Sequence, residues 1–280
     1  MARGRLLNGV SLSLAVLLAS LIACSPGTER EKQQEGRDAG QTTAQQEATT
    51  SGDRSGDVPP REEETTMVGS RVGWDYVALG DSLAVGVGAR QGYVSRYADH
   101  LQRDTDADVR VTNLGVSGQT SSRLLHSLRA DPETRRALRG AEVVTLNIGL
   151  NDLGQASSAY GSGTCGGPQN QACLRKVVNK VERNWDAIIY EISSLHSSED
   201  TIIRTIGLGY TPRTEGVFGP YLARATRHID SAADDAHIPY AEVRLGDEGM
   251  SSDGLHPNDK GYRLIADRLR TLGYKPLHPR

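Results

Sequence analysis

A chain of 280 residues, 37% hydrophobic and 24% charged, is long enough to bury one ordinary core and carry appendages besides. Its 32 basic against 35 acidic side chains leave a formal net charge of -3, without the basic excess expected of a nucleic-acid binder. Aromatic residues amount to 5%, with Phe218 the single phenylalanine, so stacking platforms for bases or sugars are scarce.

Arg3 and Arg5 precede an apolar run from about Leu6 to Ala23. A basic start before a short apolar stretch is the pattern of a secretory signal and not of a stable membrane span. Its end, Leu21-Ile22-Ala23-Cys24, resembles the bacterial lipobox. That resemblance implies cleavage before Cys24, lipidation of Cys24, and export to the outer side of the cytoplasmic membrane or the cell surface. An ordinary signal peptide with an incidental cysteine is the alternative. From residue 24 to 70 the composition is dominated by Gln, Glu, Thr, Gly, Ser and Asp. Such a segment buries too little apolar surface to offset its ordering entropy, and it reads as a disordered linker. Its root-mean-square span as a flexible chain is about 35–40 Å.

The globular domain is expected over 71–280. Val72 to Gly80 reads as a first strand, followed by a helix from Tyr93 to Asp104 with Tyr93, Tyr97 and Leu101 at i, i+4 spacing. Val109 to Leu114 reads as a second strand, followed by a helix carrying Leu124, Leu125 and Leu128, and Glu142 to Ile148 as a third strand. Residues 153 to 170, rich in Gly, Ser, Gln and Asn, read as a long loop. Cys165 within it and Cys173 just past its end form a near pair, which in an exported chain predicts a disulfide. A metal site is the alternative, but no third or fourth ligand is spaced nearby.

The strongest helical pattern runs from Ala172 to His196, an apolar stripe from Leu174 to Leu195 that is core packing. Thr201 to Ile206 and Ile238 to Val243 read as the fourth and fifth strands, with a loop from Gly207 to Gly219 and a helix from Tyr221 to Ala236 between them. Pro257 is expected to open a last helix that ends at Gly273. Strands alternating with helices in this rhythm predict a parallel sheet covered on both faces, with the first three strand ends along one edge.

Those ends carry Ser82, Gly118 and Asn151. A serine hydroxyl needs a base to become a nucleophile, and His256 is the candidate, with Asp253 three residues earlier to fix its tautomer. One helical turn between them would bring carboxylate and imidazole together. Taken singly, His256 suits a surface turn, Asp253 a turn beside Gly254, Gly118 a turn glycine and Asn151 a loop position. Asp81 and Asp152 read as loop-stabilising. Seven histidines are scattered with no paired ligand spacing, so no metal is expected.

Together, Gly80-Asp81-Ser82-Leu83, Ser117-Gly118-Gln119-Thr120, Gly149-Leu150-Asn151-Asp152 and Asp253-Gly254-Leu255-His256 resemble the four signature blocks of the SGNH (GDSL) hydrolases. The resemblance spans about residues 72–273. It implies a three-layer α/β/α sandwich with a five-stranded parallel sheet of flavodoxin-like type. It also implies a triad of Ser82, Asp253 and His256, an oxyanion hole from Ser82, Gly118 and Asn151, and no cofactor. The expected activity is a serine esterase or lipase acting through an acyl-enzyme on small-molecule or lipid esters, as a monomer held to the membrane through Cys24. The alternatives are a carbohydrate O-acetyl esterase of the cell envelope and, in another class, a solute-binding lipoprotein without turnover.

Overall fold

The computed structural model describes residues 73–167, 170–196, 201–209 and 216–277. All lie within one compact unit, Thr65–Arg280. The expected signal peptide, Cys24 and the 24–70 linker fall outside the described residues.

Five strands form one parallel sheet: β1 (Gly73–Gly80), β2 (Asp108–Asn113), β3 (Val143–Asn147), β4 (Ile202–Ile206) and β5 (Tyr240–Ala241). Their order is β2-β1-β3-β4-β5, the flavodoxin-like arrangement, with β1 pairing on both sides. Asn113 is level with Ala78, and Gly80 with Asn147, so the first three strands end along one edge. Every residue of β3 is buried, as the continuous apolar run of a central strand requires.

Among the described residues seven helices connect the strands and an eighth follows the last: α1 (Ser82–Val85), α2 (Tyr93–Thr105), α3 (Ser121–Ala130), α4 (Pro132–Arg139), α5 (Leu150–Gly161), α6 (Ala172–Ser193), α7 (Gly219–Asp235) and finally α8 (Asp259–Thr271). Alternate residues of β1 face opposite layers. Tyr76 and Ala78 pack with Tyr93, Tyr97 and Leu101 of α2 and Tyr262, Ile265 and Leu269 of α8. Val77 and Leu79 pack with Leu124 of α3, Trp185 and Ile188 of α6, and Ile229 of α7. The sheet is therefore the middle layer of three, as expected.

Four local expectations differ from what the chain does. Residues 150–161, taken largely as loop, form α5: Leu153 and Ala156 are buried, and packing against α6 outweighs the poor helix propensity of its glycines and serines. The helix after Thr120 breaks in two at Asp131, whose carboxylate accepts from the Glu133 and Thr134 N–H groups and so starts α4 at Pro132. The fifth strand shrinks to two residues at the sheet edge. Pro257 precedes the cap of α8, because Asn258 accepts from the Lys260 and Gly261 N–H groups and holds the N-cap itself. Cys165 and Cys173 are joined as a disulfide, Cα atoms 5.7 Å apart, closing the α5–α6 connection.

Candidate active site

The site begins where β1 stops. Gly80 has φ +152° and lies flush against β3, where a Cβ would stand 2.4 Å from Asn147 Oδ1 and 2.5 Å from its carbonyl oxygen. Only glycine lets the chain turn there. Asp81 then caps α1, accepting the Leu83 N–H at 3.0 Å. Ser82 is the first residue of that helix, where the N–H has no helical acceptor, and its side chain stands half-buried at the carboxyl edge of the sheet.

His256 arrives from 174 positions away. Its Nε2 lies 2.9 Å from Ser82 Oγ, and its Nδ1 lies 2.6 Å from Asp253 Oδ2. The Asp253 carboxylate holds the Nδ1 proton, which leaves Nε2 as the acceptor facing the serine hydroxyl. Asp253 and His256 meet through a tight turn, not the helical turn expected from their spacing. Asp253 Oδ1 accepts from Ser251 Oγ at 2.7 Å and from the backbone N–H groups of Leu255 and His256 at 2.8 and 2.9 Å. Partial burial works to raise the Asp253 pKa, but the bonds from His256, Leu255 and Ser251 prevail and hold it well below the usual carboxylate range. The loop is closed by a bridge between Met250 and Pro257 and by the Asn258 amide, which donates to the Glu248 and Met250 carbonyls, each at 2.8 Å.

The other predicted residues gather here too. Gly118 lies in the exposed turn after β2, and among the described residues neither its N–H nor that of Ser82 has a hydrogen-bond partner. Asn151, in the first turn of α5, does not leave its amide free: Nδ2 donates to the Gln119 carbonyl at 3.0 Å and to Asp81 Oδ2 at 3.2 Å. Asp81 is 2% exposed and takes a third bond from Asn147 Nδ2 at 3.0 Å. Burial raises its pKa, opposed by the bonds from Leu83 and Asn147 and by the nearby His256. Asp152 behaves as expected of a structural residue, binding the Ser121 N–H and Oγ at the start of α3.

Sequence reasoning underrated Asp81 and passed over Asn147. An asparagine closing the apolar run Val143–Asn147 was the available signal, since a polar residue buried at a strand end needs a partner.

The model of the GDSL-like lipase/acylhydrolase family matches residues 78–264. The chain belongs to that family. It is an ester hydrolase with a relative in the spore germination lipase LipC of Bacillus licheniformis, 28% identical over 71% of this chain and 96% of that protein. The family fold recurs in a lipase from a goat rumen metagenome, at TM-score 0.65 and 24% identity over 72% of this chain and 99% of the other. It recurs again in an acetyl xylan esterase from Geobacillus stearothermophilus, at TM-score 0.56 and 18% identity over 74% and 98%.

Proposed function

We propose that this family member is an exported serine esterase or lipase, held to a membrane by lipid on Cys24, that cleaves carboxylic esters through an acyl-enzyme. The observation that carries the reading is the 2.9 Å approach of His256 Nε2 to Ser82 Oγ, with Asp253 behind the ring. Ser82 Oγ attacks the ester carbonyl while Nε2 takes its proton, and the imidazolium is steadied by Asp253. The oxyanion is met by the N–H groups of Ser82 and Gly118 and by the Asn151 amide, which shares a proton now given to Gln119 or Asp81. Nε2 returns the proton to the departing alcohol. Water, deprotonated by His256 in its turn, then attacks the acyl carbon and frees Ser82.

Similarity to the LipC lipase supports a lipid ester as substrate. A carbohydrate O-acetyl esterase is the second reading, favoured by the scarcity of large apolar residues in the sequence stretches 153–170 and 207–219, which suits a short acyl group better than a long one. A binding protein without turnover is disfavoured by a complete hydrogen-bonded Ser–His–Asp line.

Ser82→Ala should lower kcat on p-nitrophenyl esters by several powers of ten with the fold retained. Undiminished turnover would remove Ser82 as nucleophile. The same assay, run along an acyl-length series and on acetylated sugars, separates the two substrate classes.

A further inference from the structure

Seven large apolar side chains stand exposed among the described residues, and three of them belong to the opening around Ser82: Val85 at 46%, Val116 at 50% and Leu255 at 40%. Val85 ends the helix that Ser82 begins. Val116 lies two residues before Gly118, and its N–H donates to the Gly80 carbonyl at 3.0 Å. A Cβ on Gly115 would sit 2.7 Å from Ala84 Cβ and 3.1 Å from the Val85 nitrogen, so the Val116 segment runs against the end of α1. Leu255 adjoins His256, whose ring reaches Ser82, so its turn borders the same opening.

Beside this apolar rim stands a group of cations. α6 runs antiparallel to the sheet, so its first turns rise at the carboxyl edge. Asn184 Nδ2 donates to Ser121 Oγ and Ser122 Oγ at 2.8 and 2.9 Å, which sets the fourth turn of α6 level with the start of α3. Lys180 and Lys176 lie one and two turns nearer the edge, and Arg123 sits in the first turn of α3, three residues after its capping Thr120. All three are exposed, and among the described residues none lies within ion-pair distance of a carboxylate, although the Lys180 charge acts on Asp152, next to Asn151, whereas Arg129 and Arg135 of the same layer are paired with Glu191. Unpaired cations next to exposed apolar tips, in a chain of formal net charge -3, suit a partner surface that is anionic and apolar at once.

We propose that this rim docks on a bilayer bearing anionic headgroups. Val85, Val116 and Leu255 enter the interface while Arg123, Lys176 and Lys180 meet the lipid phosphates, so that Ser82 receives its ester from the membrane. The inference deepens the esterase reading and rests on it for what happens at Ser82, but its test reads binding alone.

The full chain carrying Ser82→Ala is sedimented with vesicles of phosphatidylcholine alone and of phosphatidylcholine mixed with phosphatidylglycerol, at low and high salt. Partition should be tighter on the mixed vesicles and fall with salt. Lys176→Gln with Lys180→Gln should weaken it there by on the order of 20-fold, about five-fold per cation. Val116→Ser should weaken partition onto both vesicle types. Arg227→Gln with Arg268→Gln, exposed cations midway along α7 and in the last turn of α8, should leave it within about two-fold. Equal partition onto the two vesicle types, or equal loss from the two double variants, would overturn the proposal. The N-terminal apolar run, with Arg3 and Arg5 before it, is common to every variant and cancels between variants compared on one vesicle type. The double variants, and not the vesicle preference alone, therefore assign the binding to the rim. Ester turnover by the chain with Ser82 intact, without anionic-vesicle preference of the Ser82→Ala chain, sinks the docking surface alone, and vesicle binding with no turnover by the chain that keeps Ser82 sinks the esterase reading alone.

Discussion

At the scale of single residues, the chemistry depends on which groups own each proton. Asp253 keeps its carboxylate ionised because three residues donate to it. A carboxylate whose pKa is depressed by folding stabilises the folded state fully above its unfolded pKa of about 4 and loses that contribution as pH falls through the lower folded value. The stability difference between the wild type and Asp253→Asn should therefore be full at pH 6 and shrink below about pH 4, as read by thermal unfolding across that range. At neutral pH the same substitution should lower kcat by about 10⁴-fold, the loss seen for the equivalent change in another triad hydrolase, because the tautomer of His256 is no longer set. Asn151→Ala should lower kcat by about 10²–10³-fold with KM little changed, since it removes a donor needed only as charge develops. Asp81→Asn would turn an amide donor toward the Asn151 amide. Its kcat should fall with the ester-binding KM held, and an unaltered kcat would leave Asp81 a purely structural capping residue.

At the scale of elements, Ser82 and His256 are held together by contacts between α1, α2, α8 and the turn that carries His256. Asp259, in the first turn of α8, accepts from Gln91 N at 3.3 Å and Arg96 Nη2 at 2.9 Å, and Tyr262 Oη donates to the Val87 carbonyl at 2.8 Å. These bonds tie the segment after Ser82 to the segment after His256. Gly88 sits between them with φ +95°, and a Cβ there would lie 2.7 Å from the Pro257 carbonyl oxygen and 2.9 Å from His256 Cβ. Gly88→Ala is therefore expected to push the imidazole away from Ser82, cutting kcat while destabilising the fold by about 1–3 kcal/mol. Denaturant unfolding and steady-state kinetics on one preparation would check both, and a variant with unchanged kcat would show that the turn yields without moving the ring.

At the scale of the whole molecule, the Cys165–Cys173 bridge closes the connection between α5 and α6. A short closed loop restricts the unfolded chain, and in the entropy model the bridge stabilises the fold by about 2–3 kcal/mol. Replacing both cysteines by serine should lower the unfolding free energy by that amount while short-ester turnover persists, because neither sulfur bonds to Ser82, Asp253 or His256. Loss of turnover at full stability would instead show that the bridge shapes the mouth of the site.

Apolar periodicity placed β1, β3 and β4 within a residue and the α6 stripe within three, because a buried strand or helix face writes its period directly into the chain. The blocks at Ser82, Gly118 and Asn151 were legible because polar and glycine residues interrupt apolar runs where strands end, whereas the Asp253–His256 block follows no strand end and was read through its resemblance to a family signature. What stayed hidden depended on partners distant in sequence. α5 is a helix because α6 covers it, and the Asn151 amide is engaged by Asp81 and Gln119, from two other loops. The sequence by itself determined the parallel α/β architecture and the residues at its reactive edge, since both follow from local pattern. Only the tertiary structure decided that His256 Nε2 reaches Ser82 Oγ and which acceptors hold the site's donors, because those are distances between segments whose spacing along the chain carries no information about their spacing in the fold.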